Sequence, residues 1–389
     1  MNLVHGGRLV PAAIMSLVIL VAGAVQATPA RAADPPVPGQ IAVLTQNQSL
    51  GADLRPVLNA RDQPTFQHEI RKALKQVADN PFQVRALAFA YQIVKADPDV
   101  VALQEVFDLR RNGEHAAGPY RDHLADTLAA LDLLGGRYRV VARVQNMSTT
   151  FPVDLDRNGS LETQVGLAEH DVILVREGLT AAPVPFPDLC LRPSLDGCQF
   201  QVVSIATDLP NGRVNRERGF VGIDVSLNGR AFRVVNTQLE EFDVEPETGP
   251  ISRTFQTFQA SELITMIEAS NPSGRTVVVL GDLASTPDDE TILLGTLPVV
   301  PGYIVLQTNG FRDALTLDPD NLPLGDTCCQ APDLRNRKSR LDRRVDHVFT
   351  TDQPVEVHSD VLGDSELERR LLKRWPSDHG TVYARIRYQ

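Results

Sequence analysis

Arg275-Thr-Val-Val-Val-Leu-Gly-Asp-Leu-Ala-Ser-Thr-Pro287 is the stretch whose reading decides the fold. Thr276 to Leu280 are apolar or β-branched. Pro272 and Gly274 precede them and Gly281 follows, so the run reads as a strand buried on both faces. Its Gly-Asp ending places the Asp282 carboxylate at the C-terminal end of a strand, where α/β folds gather their sites. Ser285, Thr286 and Pro287 then turn the chain away. An aspartate there costs free energy to bury unless a metal, a donor or a proton partner meets it. On this stretch alone, a helix N-cap or turn aspartate remains open as the alternative.

The same signature recurs outward from this strand. Ile41–Thr45 is a short apolar run followed by Asn47, and Val100–Leu103 is closed by Gln104-Glu105. Val345–Thr350 contains Asp346, and Ser377-Asp378-His379 leads into Val382–Ile386. Each of these residues taken singly is compatible with a structural role. Together they bring four carboxylates and a histidine to strand ends, the pattern of a convergent metal site. Between them, helical periodicity is expected over Thr65–Lys75, from Pro81 to Ala96, over Leu124–Leu134 and over Ser252–Ala269, with a short helix from Asp289. Further strands are expected at Tyr138–Val144, Val172–Val175, Gln201–Ala206, Phe220–Ser226 and Ala231–Asn236. Asn228-Gly229 between the last two is a hairpin signal. The long segments 145–170 and 317–340 read as loops of functional interest.

Composition sets outer limits. The 389 residues carry a net charge of −11, which weighs against a non-specific DNA binder but leaves room for a divalent cation at a phosphate. Arg8, the apolar run Ala12–Val25 and Ala30-Arg31-Ala32 form a secretory signal peptide over residues 1–32. The run is too short to favour a membrane span. Secretion or periplasmic export follows, as a monomer without a transmembrane segment, with a Pro-rich segment at 33–40 before the folded domain at 41–389. Cys190 and Cys198 flank a short loop and are expected to pair in an oxidising compartment. Cys328 and Cys329 are adjacent and either bridge or stay reduced. Asp154-Leu-Asp-Arg-Asn-Gly159 matches half of a calcium loop, with Asp154, Asp156 and Asn158 as ligands, but Val165 stands at position twelve instead of glutamate, and the make-up of an Asp/Asn/Gly turn is the favoured reading. The basic run Arg335, Arg337, Lys338, Arg340, Arg343 and Arg344 could grip a phosphate or lie solvated. His68, His115, His123 and His170 read as surface or loop residues, and Trp375 as packing.

Leu103-Gln-Glu-Val106, Asn236-Thr-Gln-Leu-Glu240, Gly281-Asp-Leu-Ala-Ser285, Arg344-Val-Asp-His347 and Ser377-Asp-His-Gly380 resemble, in order and spacing, the motifs of the endonuclease/exonuclease/phosphatase superfamily. Gln48-Ser-Leu-Gly-Ala-Asp-Leu54 and Thr327-Cys-Cys-Gln330 look closest to an exported bacterial branch. The resemblance runs from Ile41 to the C-terminus. It implies an α/β fold, a four-layer α-β-β-α sandwich of two mixed β-sheets with helices outside. It also implies that Glu105, with Asn47 and Asp378, binds Mg2+, Mn2+ or Ca2+. Asp282 would orient or deprotonate the attacking water, and His379, oriented by Asp346, would act as base or phosphate donor. The substrate would be a phosphoester: nucleic acid, phospholipid head group or small phosphoester.

Two positions depart from the family pattern. Gln238 stands where the family has histidine, and Ala284 where it has asparagine. Gln238 keeps one neutral donor for a phosphate oxygen, and Ala284 offers nothing polar. Loss of a positioned donor typically costs about 10²–10³ in rate. The expected function is therefore a metal-dependent phosphoester hydrolase of reduced activity. The alternative is a degraded member that binds a phosphorylated or polyanionic ligand without turnover.

Overall fold

Alternation along Thr276–Asp282 feeds two cores at once. In the computed structural model, which describes residues 37–202, 206–241, 249–320 and 325–389, this segment is a strand with every residue buried. Val278 and Leu280 point into one apolar cluster and Val277 and Val279 into another, as the two-residue period of a strand requires. The first cluster joins Ile41, Ala102, Ile173 and Val382 to Ile223, Val234 and Val348, so two sheets pack face to face through it. The second joins Val235, Val277 and Phe349 to Ala260, Leu263 and Ile267 of the helix Gly249–Ser270. A third sets Phe66 and Ile70 of the helix Gln63–Asp79 against Leu109, Val153 and Val165. Each buried Val or Leu contributes roughly 1.5–3 kcal/mol relative to an exposed one.

Both sheets are mixed. One runs, in spatial order, Glu356–Leu362, Thr381–Arg387, Gln40–Asn47, Val100–Arg111, Thr163–Arg176 and Tyr138–Val153. The other centres on Asp346–Thr350, Thr276–Asp282, Arg230–Gln238 and Gly219–Leu227. The layers are the helix–sheet–sheet–helix sandwich expected from the sequence. Parallel pairing of Gln40–Asn47 with Val100–Arg111, and of Arg230–Gln238 with Thr276–Asp282, brings their C-terminal ends to the same edge. Gly281 permits the second pairing: a Cβ there would lie 1.9 Å from the Thr237 carbonyl oxygen.

Several local expectations are corrected. Segment 145–170 is mostly not a loop. Tyr138–Val153 and Thr163–Arg176 are one long hairpin, paired from Tyr138↔Arg176 to Val153↔Thr163 with register shifts at Val140/Ala142 and Gln145/Met147. The strand beginning at Val100 does not close at Glu105 but continues to Arg111. In place of a helix from Asp289 there is a small hairpin, Ile292–Leu294 with Leu297–Val299, and the helix begins at Gly302. The expected strand Gln201–Ala206 falls partly on residues 203–205, outside the described residues; Ala206–Leu209 is a strand. The Asn228-Gly229 turn is present, with Leu227 paired to Arg230 and both turn residues at positive φ. His123 is not a surface residue: it is buried and stacks on Phe82 at 3.6 Å. Trp375 is buried, its indole donating to the Asn336 carbonyl at 2.9 Å. Cys190 and Cys198 are bridged, and so are Cys328 and Cys329. Closing the loop from Cys190 to Cys198 stabilises by about 2–3 kcal/mol in the chain-entropy view. The expected signal peptide at residues 1–32, and residues 33–36 of the Pro-rich segment, lie outside the described residues.

Candidate active site

Strand register assembles the polar edge. Gln238 pairs with Asp282, and Asp282 pairs with Asp346, so three strand ends set an amide and two carboxylates side by side. His379 enters from the turn before the last strand. Its Nδ1 lies 2.8 Å from Asp346 Oδ2 and its Nε2 lies 3.9 Å from Asp282 Oδ2. Asp282, Asp346 and His379 each bring one ligating atom within 4.8 Å of the others. From the facing sheet, Asn47 Nδ2 donates to Asp282 Oδ2 at 3.2 Å while its Oδ1 accepts from Ser49 N at 2.9 Å. Asp378 stands beside Asn47, where Ser377 Oγ donates to the Asn47 carbonyl at 2.7 Å and lies 3.3 Å from Asp378 Oδ1.

Glu105 is aimed by a β-bulge. Leu103 pairs with Val172 and Val106 with His170, leaving Gln104 and Glu105 opposite the single residue Asp171. Glu105 adopts φ +53°, a backbone state that a non-glycine side chain seldom takes. Strain of this kind gathers at functional edges. The extra residue turns the carboxylate toward Gln238, whose Nε2 donates to Glu105 Oε1 at 3.1 Å and to Asp282 Oδ2 at 3.3 Å.

The charges are poorly compensated. Burial, and then the nearby Glu169 and Asp378 carboxylates, push Glu105 up to about 8. Burial also raises Asp282, against the pull of His379. Burial alone would lower His379, but the carboxylates of Asp346 and Asp282 raise it well above the ordinary imidazole value. Asp346 Oδ1 is buried without a hydrogen-bond partner. Oxygen donors of this type, in net acidic excess and with an orphaned oxygen, fit a hard divalent cation.

Sequence reasoning missed a buried pair behind Gln238. Arg218 Nη1 donates to Glu169 Oε1 at 3.1 Å and to Gln238 Oε1 at 2.6 Å. Burial would lower the Arg218 pKa, yet Glu169 and Glu240 hold it above the ordinary arginine value. A signal existed: Glu169 and Asp171 alternate onto one face of an otherwise apolar strand. The Gln238 amide is thereby committed on both sides, its three bonds all going to protein side chains. Ala284 N donates to Asp282 Oδ1 at 2.9 Å, with Ala284 at φ +47°. The basic run divides. Arg344 is buried against Asp313 and His347, Arg335 donates to the Asp79 carbonyl at 3.0 Å, and Arg343 sits beside the Cys328 and Cys329 sulfurs. Asp154, Asp156 and Asn158 form a surface turn between the strands Tyr138–Val153 and Thr163–Arg176, apart from this edge.

A sequence profile of the Endonuclease/Exonuclease/phosphatase family matches residues 80–379. The chain belongs to that family. Its members are generally phosphoesterase hydrolases that use divalent metal ions. Similar solved structures include truncated TDP2 from Caenorhabditis elegans, at 16% identity over 90% of this chain and 97% of that one, with a TM-score of 0.47. A family protein from Bacteroides thetaiotaomicron is 15% identical over 92% of this chain and 100% of its own, with a TM-score of 0.48. A mannosyl-6-phosphatase from the same organism is 14% identical over 90% and 100%, with a TM-score of 0.45. Comparison with curated proteins finds no match. No helix among the described residues is long and apolar enough to cross a membrane.

Proposed function

We propose that the protein is an exported, monomeric, divalent-metal-dependent phosphoester hydrolase of the phosphodiesterase type. The observation that carries this reading is the Asp346–His379–Asp282 row facing Glu105 across the sandwich edge. Glu105 and Asp378, with Asn47, would hold a Mg2+ or Mn2+ ion, which supplies charge neutralisation at a phosphate oxygen. Asp346 fixes the His379 ring through Nδ1, and the raised basicity of the ring keeps a proton on Nε2 to donate to a phosphate oxygen. Asp282 Oδ2 takes the proton of the attacking water. Its raised pKa makes it a stronger base than an exposed aspartate, while the Ala284 N–H and the Asn47 amide fix its orientation.

Ala284 and Gln238 lower the rate in this reading, because neither offers a free polar group to the substrate. A second reading, a ligand-binding member without turnover, draws support from the commitment of the Gln238 amide to Glu105 and Asp282. Hydrolysis of nucleic acid, sphingomyelin and a chromogenic phosphodiester, each with Mg2+, Mn2+ or Ca2+ and each against a chelator, separates the two. Chelator-sensitive turnover of any substrate supports the first reading. Binding of these substrates with no turnover under any metal supports the second.

A further inference from the structure

Beside the Asp282–Asp346–His379 row, one other group of three His, Cys, Asp or Glu side chains comes together among the described residues. The sulfurs of Cys328 and Cys329 and the His379 imidazole each place one ligating atom within 4.8 Å of the others. Backbone bonds hold this cysteine segment between the stretch leading into the strand Asp346–Thr350 and the turn that carries His379. Thr327 N and Cys328 N donate to the Arg343 carbonyl at 2.8 and 2.9 Å. Gly380 N donates to the Thr327 carbonyl at 2.7 Å, and Gln330 N to the Asp378 carbonyl at 2.8 Å. Thr327 Oγ accepts from Val345 N and Asp346 N at 3.0 and 3.1 Å. Cys329 Sγ consequently lies 4.0 Å from His379 Nε2, and Arg343 Nη2 lies 3.7 Å from Cys328 Sγ and 4.0 Å from Cys329 Sγ.

We propose that the reduced Cys328–Cys329 pair and His379 Nε2 form a site for a thiophilic divalent cation of the zinc type, separate from the oxygen ligands around Glu105. A disulfide is a poor ligand, and the thiolate is the binding form. A dithiol reductant opens the bridge by exchange: two electrons pass to the protein sulfurs, two protons join them, and the reductant leaves as its cyclic disulfide. Cation binding then releases the two thiol protons and the Nε2 proton to solvent, leaving two thiolates and one imidazole as ligands. Two sulfurs and one nitrogen suit a tetrahedral zinc-type ion with a fourth position for water, and they discriminate against Mg2+. The surroundings match such a site. The Arg343 guanidinium favours thiolate over thiol. Asp346 on Nδ1 is the orienting carboxylate that metal-bound histidines commonly have. Occupation withdraws Nε2 from phosphoester chemistry; this consequence alone rests on the function proposed above.

The test uses the full chain. Protein is reduced with dithiothreitol, freed of reductant under anaerobic conditions and titrated with Cd2+ in the presence of excess Mg2+, alongside oxidised protein. The reduced wild type is expected to develop the ultraviolet thiolate-to-cadmium charge-transfer band, saturating at one equivalent, and the oxidised protein none. C190S/C198S should retain the band, C329S should lose it, and H379Q should weaken binding at least about tenfold. The oxidised and reduced wild types are compared without any variant, so a misfolded mutant does not decide the result. A Cys328–Cys329 bridge that resists dithiothreitol in the folded protein overturns the proposal. So does reduced protein without the band, or a band that persists in C329S. The readout is independent of hydrolysis, so its failure is distinguishable from failure of the phosphoesterase reading.

Discussion

In the turn from Asp154 to Ser160 the acidic side chains are closed by their own backbone, while at the sandwich edge they are left in surplus. Asp154 accepts from Asn158 N and Gly159 N, both at 3.1 Å, and Asp156 accepts from Asn158 N at 3.2 Å and from Asn158 Nδ2 at 3.0 Å. The turn is largely exposed, so its remaining acceptors are open to solvent. At the edge one amide, that of Gln238, is shared between Glu105 and Asp282, and Asp346 Oδ1 has no partner. Asp and Asn side chains thus build a turn where local donors and solvent are present. Where burial removes solvent and the donors are fewer than the acceptors, they build a site whose surplus charge must be met by protons or by a cation.

The contrast breaks most visibly if the two regions respond alike to mutation. E105Q is expected to lower chelator-sensitive phosphodiester hydrolysis by at least about 10²–10³. D154N should leave that hydrolysis unchanged, as initial-rate assays will show. A smaller gain is expected from restoring the missing donors. A284N/Q238H should raise the metal-dependent rate by at least about tenfold, equivalent to about 1.4 kcal/mol in barrier.

The pH dependence of stability sharpens the comparison further. In the metal-free fold Glu105 titrates near 8, against an ordinary value of 4.5. Between those values the native state holds more protons than the unfolded chain. Stability from this group is therefore greatest below the lower value and is lost as pH rises through the upper one. Urea midpoints measured in chelator should fall over that window, E105Q should flatten the fall, and D154N should leave it in place.

The smallest effects are conformational. Ala284 occupies φ +47°, so A284G should raise the unfolding free energy in urea by a few tenths to about 1 kcal/mol, by relief of left-handed strain less the added chain entropy.

The parts of this architecture that were legible in the chain are those where the cause is local. Apolar runs ending in Gly281-Asp282 and Asn47, and the turn at Ser377-Asp378-His379, announce strand ends, and strand ends meet at one edge in a mixed sandwich. The Asn228-Gly229 turn is equally local. What stayed hidden depends on pairing between distant segments. The bulge at Glu105 exists only relative to the register with Val172 and His170. Arg218 and Glu169 can be buried because each offsets the other's desolvation, yet they are separated by 49 positions. Arg344 was visible as part of a basic run, but its burial against Asp313, on a neighbouring strand, was not. The long hairpin around residues 145–170 was obscured because its tip is polar and largely exposed, so the two-residue alternation is weak there.

The measurement that bears most directly on the central claim is calorimetric titration of Mn2+ into oxidised wild-type protein and E105Q at neutral pH. The account predicts one bound equivalent for the wild type and an affinity lowered at least about 100-fold in E105Q, because a carboxylate ligand would be lost rather than an outer partner. Equal affinity in the two proteins would contradict it.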